Sequence, residues 1–239
     1  MHDVACHAAI YRGAGGREGR ARGRMLAGMA HLHPTAELAE RALLPDDPGQ
    51  ALALTRVLYD ETPRMFNHHR GLWGYTGIAI DGAPLTVQST GIGGPSAAIV
   101  VGELHALGLR RAVRIGRAWA VDGSVRAGEL IAASSVLATD GASRALGADA
   151  PLEPDPALAG ALAADRTGAL ASGDVCTADP AWDAVAFDLE SGAVLAAARA
   201  AGIPAACLVA IEGPADPDQV AERLGRSGLT ALAPVVARG

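Results

Sequence analysis

The chain has 239 residues and a formal net charge of −6, with half its residues apolar and only 3% aromatic. That length suits one large domain or two small ones, with a core built mostly from Ala, Val, Leu and Ile. The acidic balance argues against a general basic nucleic-acid surface. Apolar runs such as 205–211 are too short to span a bilayer, and three scattered cysteines (Cys6, Cys176 and Cys207) form neither a disulfide framework nor a CxxC metal site, so a reducing cytoplasm is the expected compartment.

Residues 1–30 place Arg12, Arg17, Arg20, Arg22 and Arg24 among glycines, with no apolar stretch to follow. They read as a disordered basic extension, or as sequence upstream of a true start at Met25 or Met29. A basic arm that contacts a partner is the alternative. The folded domain is expected over 31–239, without internal repeats or an interdomain linker.

In chain order, 35–42 reads as a short helix with Thr35 as N-cap and Glu37 near its start. An apolar strand at 42–45 is broken by Asp46-Asp47-Pro48-Gly49, and helical periodicity follows over 50–58. Residues 66–80 alternate like a strand, Asp81-Gly82 is a hairpin turn signal, and 85–89 is the return strand. A helix over 95–107 carries Pro95 in its first turn and stops at Gly108. Strands follow at 112–115 and 128–133, then a polar loop at 139–143 and a surface helix at 156–164. A strand at 184–187 leads into an alanine-rich helix over 189–201, ended by Gly202-Ile203-Pro204. A buried strand at 206–211 and helical segments at 218–224 and 229–236 complete the chain. The alternation predicts a single-domain α/β fold with a central mixed, mostly parallel sheet flanked by helices.

The stretch 86–117 is the most informative. An apolar strand ends in the glycine-rich turn Gly91-Ile92-Gly93-Gly94, a helix follows at once, and the next strand delivers Arg114 to the loop edge. Such a unit suits an anion or a polar small molecule.

Six pieces in order resemble the nucleoside phosphorylases of the uridine/purine type. They are Asp46-Asp47-Pro48-Gly49-Gln50, Asn67-His68-His69-Arg70-Gly71 with Gly74-Tyr75-Thr76-Gly77, Ser89-Thr90-Gly91-Ile92-Gly93-Gly94-Pro95-Ser96, Val113-Arg114-Ile115-Gly116, Asp140-Gly141-Ala142-Ser143, and Asp188-Leu189-Glu190-Ser191. The resemblance covers about 31–215 and implies a nucleoside phosphorylase-like fold. It implies cleavage of a purine or pyrimidine nucleoside by phosphate, giving free base and (deoxy)ribose 1-phosphate. No cofactor is implied beyond inorganic phosphate as co-substrate.

The resemblance also implies roles. Arg114, Arg70, Gly91 and Gly93 would hold phosphate, with Arg117 as a further cation and Arg114 counted as catalytic. Glu190, Leu189 and His31 (or its neighbour His33) would hold the ribose. Cys176, Thr177 and Trp119 stand at base-binding positions, and Glu212 at the position of a purine-protonating acid. Homo-oligomers, hexamers or dimers, are implied, with His31 and Arg70 serving a neighbouring subunit. Neither nucleic acid nor membrane is an expected partner.

The chain departs from the pattern at three phosphate positions. Asp46 replaces a glycine, Gln50 an arginine, and Arg117 a serine or threonine. Arg117 either restores the lost charge or pairs with Asp46 and fills the site. A Cys-Thr pair replaces the stacking aromatics at 176–177, and no local Gln-x-Arg pair for uracil is found. A phosphate-independent nucleoside hydrolase of the same fold, and a catalytically impaired nucleoside-binding or assembly paralogue, are therefore the alternatives.

Overall fold

The computed structural model describes residues 31–179 and 181–234, so the expectations for 1–30 and for the end of the last helix lie outside the described residues. Nine strands form one mixed sheet: β1 (Arg41–Leu44), β2 (Arg64–Asn67), β3 (Gly74–Ile78), β4 (Pro84–Gln88), β5 (Arg111–Ala120), β6 (Leu130–Ala138), β7 (Arg166–Ser172), β8 (Ala186–Asp188) and β9 (Ala205–Ile211). Among the described residues, six helices accompany them: α1 (Pro48–Leu58), α2 (Gly94–Leu107), α3 (Gly141–Ala145), α4 (Pro156–Ala161), α5 (Ser191–Ala201) and α6 (Pro217–Ala231). Asp47, Asp140, Asp155 and Asp216 cap the starts of α1, α3, α4 and α6 with their carboxylates.

The strand order is β2-β3-β4-β1-β5-β8-β7-β6-β9, and β9 also pairs with β5. The second half of the sheet therefore closes into a ring of five strands, a closure that the expectation of a central mixed, mostly parallel sheet did not specify. The pairs β1–β4, β1–β5, β5–β9, β6–β7 and β7–β8 are parallel, and β2–β3, β3–β4, β5–β8 and β6–β9 are antiparallel.

Alternation along the central strands sorts the core into two layers. Ala42, Leu44, Ala112, Cys207 and Val209 face α2 and α5, whose residues Ala97, Val101, Ala193 and Ala197 complete that cluster. Leu43, Val113, Ile115, Ala206 and Leu208 face the other way, with Leu54 and Leu58 of α1 and Leu224 of α6. Strands covered on both faces read as continuous apolar runs, as β1 and β9 do.

Several expectations are corrected. No helix forms at 35–42: the Thr35 N–H donates to the Phe66 carbonyl at 2.8 Å and its hydroxyl to the Met65 carbonyl at 2.7 Å, so a long-range pairing replaces the cap. The strand expected over 66–80 is two strands, with a short 3-10 turn at His69–Gly71 between them. The polar loop at 139–143 is the cap and first turn of α3. Strand β7 was not anticipated. The two helical segments near the end are one helix, α6.

Candidate active site

Strand β5 is the longest and changes partner along one edge. Strand β1 accompanies Arg111–Arg114 and then stops, and β8 comes in antiparallel beside Trp119–Ala120. Beside 115–118 that edge has no strand partner among the described residues. The ends of β1 and β8 approach each other across this gap, a change of strand direction of the kind at which open α/β sheets place ligands.

Arg114 fills the gap. Its side chain is fully buried, runs over Gly116 and donates from Nη1 to the carbonyl of Ile115. Three carboxylates meet it. Asp46, just beyond β1, accepts from Nη1 at 3.2 Å. Asp188, the last residue of β8, accepts from Nη2 at 3.2 Å, and Glu190, at the start of α5, accepts from Nη2 at 2.8 Å. A Cβ on Gly116 would lie 1.6 Å from Arg114 Nη1 and 2.5 Å from Asp46 Oδ1, so only glycine leaves room for this pair.

The glycine turn between β4 and α2 closes the other side. Gly91 and Gly93 adopt φ of 72° and 83°, a region that favours glycine. The Gly91 N–H donates to the Asp46 carbonyl at 3.1 Å. The Gly93 N–H donates to Glu190 Oε1 at 2.8 Å. An internal carboxylate thus occupies the turn that the sequence offered to a phosphate.

The electrostatics follow from burial. Burial works against the Arg114 charge, but Asp46, Asp188 and Glu190 outweigh it and hold its pKa above the usual arginine value. Burial pushes Glu190 above the usual carboxylate range; Arg114 pulls it back, while Asp188 and Asp46 push it further up. The two directions favour opposite readings of one pair. We hold that Arg114 stays charged, because three acceptors surround it, and that Glu190 carries the burial penalty.

The structure brings Arg114, Glu190, Gly91 and Gly93 together. Leu189 lies just behind them, buried against Phe187 and Ala171. Arg117 pairs with Glu212 instead of Asp46, at 3.2 and 3.3 Å, and both side chains are well exposed. That pair lines a cavity of about 210 Å³ with Asp47, Gln50 and Asp218. None of Asp46, Arg114, Asp188 and Glu190 lines this cavity. Arg117 is three residues from Arg114 along β5 and so faces the opposite side of the sheet, toward α1 and α6. Trp119 is half exposed and stacks on Phe187, with ring centroids 5.8 Å apart. Cys176 and Thr177 are exposed in the loop after β7.

His31 and Arg70 lie outside the cluster. His31 Nδ1 meets Glu103 Oε1 at 2.7 Å, partway along α2. His33 stacks on His69 at 3.8 Å. Arg70 sits exposed in the 3-10 turn with a left-handed φ of 58°, and makes no ion pair among the described residues. Asp188 received no role from the sequence. Its signal was the Asp-x-Glu spacing at a strand end, which puts two carboxylates on one side.

Residues 40–228 match the family model described as Phosphorylase superfamily. The chain belongs to the phosphorylase superfamily. Among curated relatives of this superfamily member, a uridine phosphorylase of Haemophilus influenzae is 36% identical over 121 residues, covering 49% of the chain and 47% of the relative. A DeoD-type purine nucleoside phosphorylase of Oceanobacillus iheyensis is 36% identical over 98 residues, covering 41% of each. These alignments span less than half the length of those relatives. A crystal structure of uridine phosphorylase from Vibrio fischeri, complexed with 6-hydroxy-1-naphthoic acid, shares the fold, with a TM-score of 0.71 at 21% identity over 82% of this chain and 90% of that one. No described helix is long and apolar enough to cross a membrane.

Proposed function

We propose that this superfamily member binds a nucleoside at the Arg114 cluster and cleaves its N-glycosidic bond, transferring the pentose to an oxygen acceptor. The observation that carries this is the convergence of Asp46, Asp188 and Glu190 on one buried arginine beside the glycine turn. Cleavage passes through an oxocarbenium-like state, and fixed carboxylates stabilise such a cation without reorganising. Glu190 is the ribose ligand in this reading. Trp119 offers an exposed ring for stacking a base. The names of the sequence relatives, uridine and purine nucleoside phosphorylase, support the same bond and suggest phosphate as acceptor.

Water as acceptor is the second reading, and a specific observation favours it. An entering phosphate must displace Glu190 from the Gly93 N–H and compete with three carboxylates for Arg114. At an effective dielectric of about 20, one like charge about 4 Å away opposes it by roughly 4 kcal/mol. Gln50 supplies no compensating charge, and the Arg117 charge is shared with Glu212.

A panel of purine and pyrimidine nucleosides, incubated with and without inorganic phosphate while free base is followed, tests the function. Base release from at least one of them is expected. Binding without release from any would replace the enzyme by a nucleoside-binding paralogue. The reading extends to an assembly of copies in which the outlying Arg70 and His31 complete a neighbour's site. Analytical ultracentrifugation tests this, and a strict monomer would remove that role.

A further inference from the structure

The three carboxylates on Arg114 are not equivalent. Asp188 is buried and both its oxygens accept hydrogen bonds, Oδ1 from the Ser191 N–H and Oδ2 from the Ser191 hydroxyl and Arg114. Glu190 is buried and divided between Gly93 and Arg114. Asp46 alone is partly open, with a third of its side chain exposed. Only its Oδ1 is engaged, by Arg114; Oδ2 takes no hydrogen bond among the described residues. Its main chain is nevertheless fixed, since its carbonyl accepts the Ser89 hydroxyl at 2.7 Å and the Gly91 N–H at 3.1 Å. The site therefore holds one positioned carboxylate oxygen that faces solvent.

Resting on the N-glycosidic reading above, we propose that Asp46 is a catalytic base that activates water, so that the reaction is hydrolysis. Asp46 takes a proton from water as the water oxygen bonds to C1′ of the pentose. The C1′–N bond breaks, its electron pair leaves with the base, and the base takes up a proton from solvent. The products are free base and free pentose. Arg114 holds Asp46 in place, and Asp188 and Glu190 supply the negative field for the cationic sugar. The same field disfavours phosphate. The substitution that weakens an anion site thus supplies what a water site needs, a base beside the reacting carbon.

The test uses the full chain in heavy-oxygen water, with and without inorganic phosphate, on a nucleoside that it cleaves. The expected product is free pentose labelled at C1, formed at a rate that phosphate does not change. Asp46→Asn should lower kcat by about 10²-fold or more in a chain that stays folded and still binds nucleoside at the assay temperature, with a lower melting temperature from the lost Arg114 ion pair. Asp46→Gly combined with Gln50→Arg should yield pentose 1-phosphate in a phosphate-dependent reaction. Base release by the natural chain only when phosphate is present would overturn the role of Asp46 and leave the N-glycosidic reading standing. Full activity in Asp46→Asn would overturn it equally. Absence of base release with either acceptor would overturn the N-glycosidic reading, and the role of Asp46 with it.

Discussion

Glu190 ties the glycine turn to the buried arginine: its Oε1 accepts the Gly93 N–H at 2.8 Å while its Oε2 accepts Arg114 Nη2 at 2.8 Å. One side chain therefore keeps an external anion from both groups. Glu190→Ala should open the turn, so that inorganic phosphate raises the melting temperature of the variant and not of the natural chain. At a phosphate concentration of about 100 times its Kd the gain would be about 2.7 kcal/mol. Differential scanning calorimetry across a phosphate series checks this.

The raised pKa of Glu190 has a signature in stability. The folded state holds its proton more readily than the unfolded one, so this group's contribution falls as pH rises from the ordinary carboxylate value through the raised folded value. Glu190→Gln should remove that decline. Urea midpoints measured from acid to neutral pH, for both proteins, make the comparison.

Asp81 behaves in the opposite sense. Its carboxylate meets buried Arg41 through two bonds of 2.6 Å, and the Arg41 hydrogen bond holds its pKa below the usual value. The resulting stability is present above the unfolded carboxylate pKa and is lost as pH falls through the lowered folded value. Asp81→Asn should cost about 2–4 kcal/mol at neutral pH, the lower end allowing for a side chain one quarter exposed. The two urea curves should converge in strong acid.

Gly116→Ala places a methyl group against Arg114 and Asp46. The backbone of β5 is held on its other edge by β9, so the side chains must yield. A loss of about 1–3 kcal/mol is expected, together with loss of base release. Thermal unfolding and the nucleoside assay report the two effects separately.

The thiols separate by burial. Burial, with a smaller push from Asp188, raises Cys207 to about 12, whereas Cys176 is exposed. In a Cys6→Ser background a thiol reagent at mildly alkaline pH should titrate one fast group in the native protein. A second should appear only in denaturant.

Much of the fold was legible because its signals are local. Helical periodicity from Gln50 marks α1, although its cap at Asp47 and first turn at Pro48 read only as a strand break; Pro95 and Gly108 bound α2, and the apolar run of β9 fits a strand covered on both faces. What escaped depended on distant partners. Strand β7, Arg-Thr-Gly-Ala-Leu-Ala-Ser, has weak strand propensity and is held between β6 and β8. Helix α6 reads as two pieces because of Gly225 and Gly228. Those glycines let the helix approach closely: a Cβ would come 2.4 Å from Leu54 Cδ2 and 2.5 Å from Leu43 Cδ2, respectively. At the site, Arg114, Glu190 and the glycine turn could be named from their motifs. The partner of Asp46 could not. Arg114 and Arg117 are three residues apart in β5, and only the folded strand shows that the first turns toward Asp46 and the second toward Glu212.

The gap along β5 also bears on how the protein is made. Arg114 leaves the ribosome well before Asp188 and Glu190, and until they arrive Asp46 is the only one of its carboxylates yet synthesised. Burying a guanidinium with a single counter-charge is unfavourable. The central strand should therefore lock only after Asp188 and Glu190 have been made. A fragment ending ahead of β8 should stay loosely packed, and a separately expressed carboxyl-terminal piece that supplies β8 and α5 should firm it up.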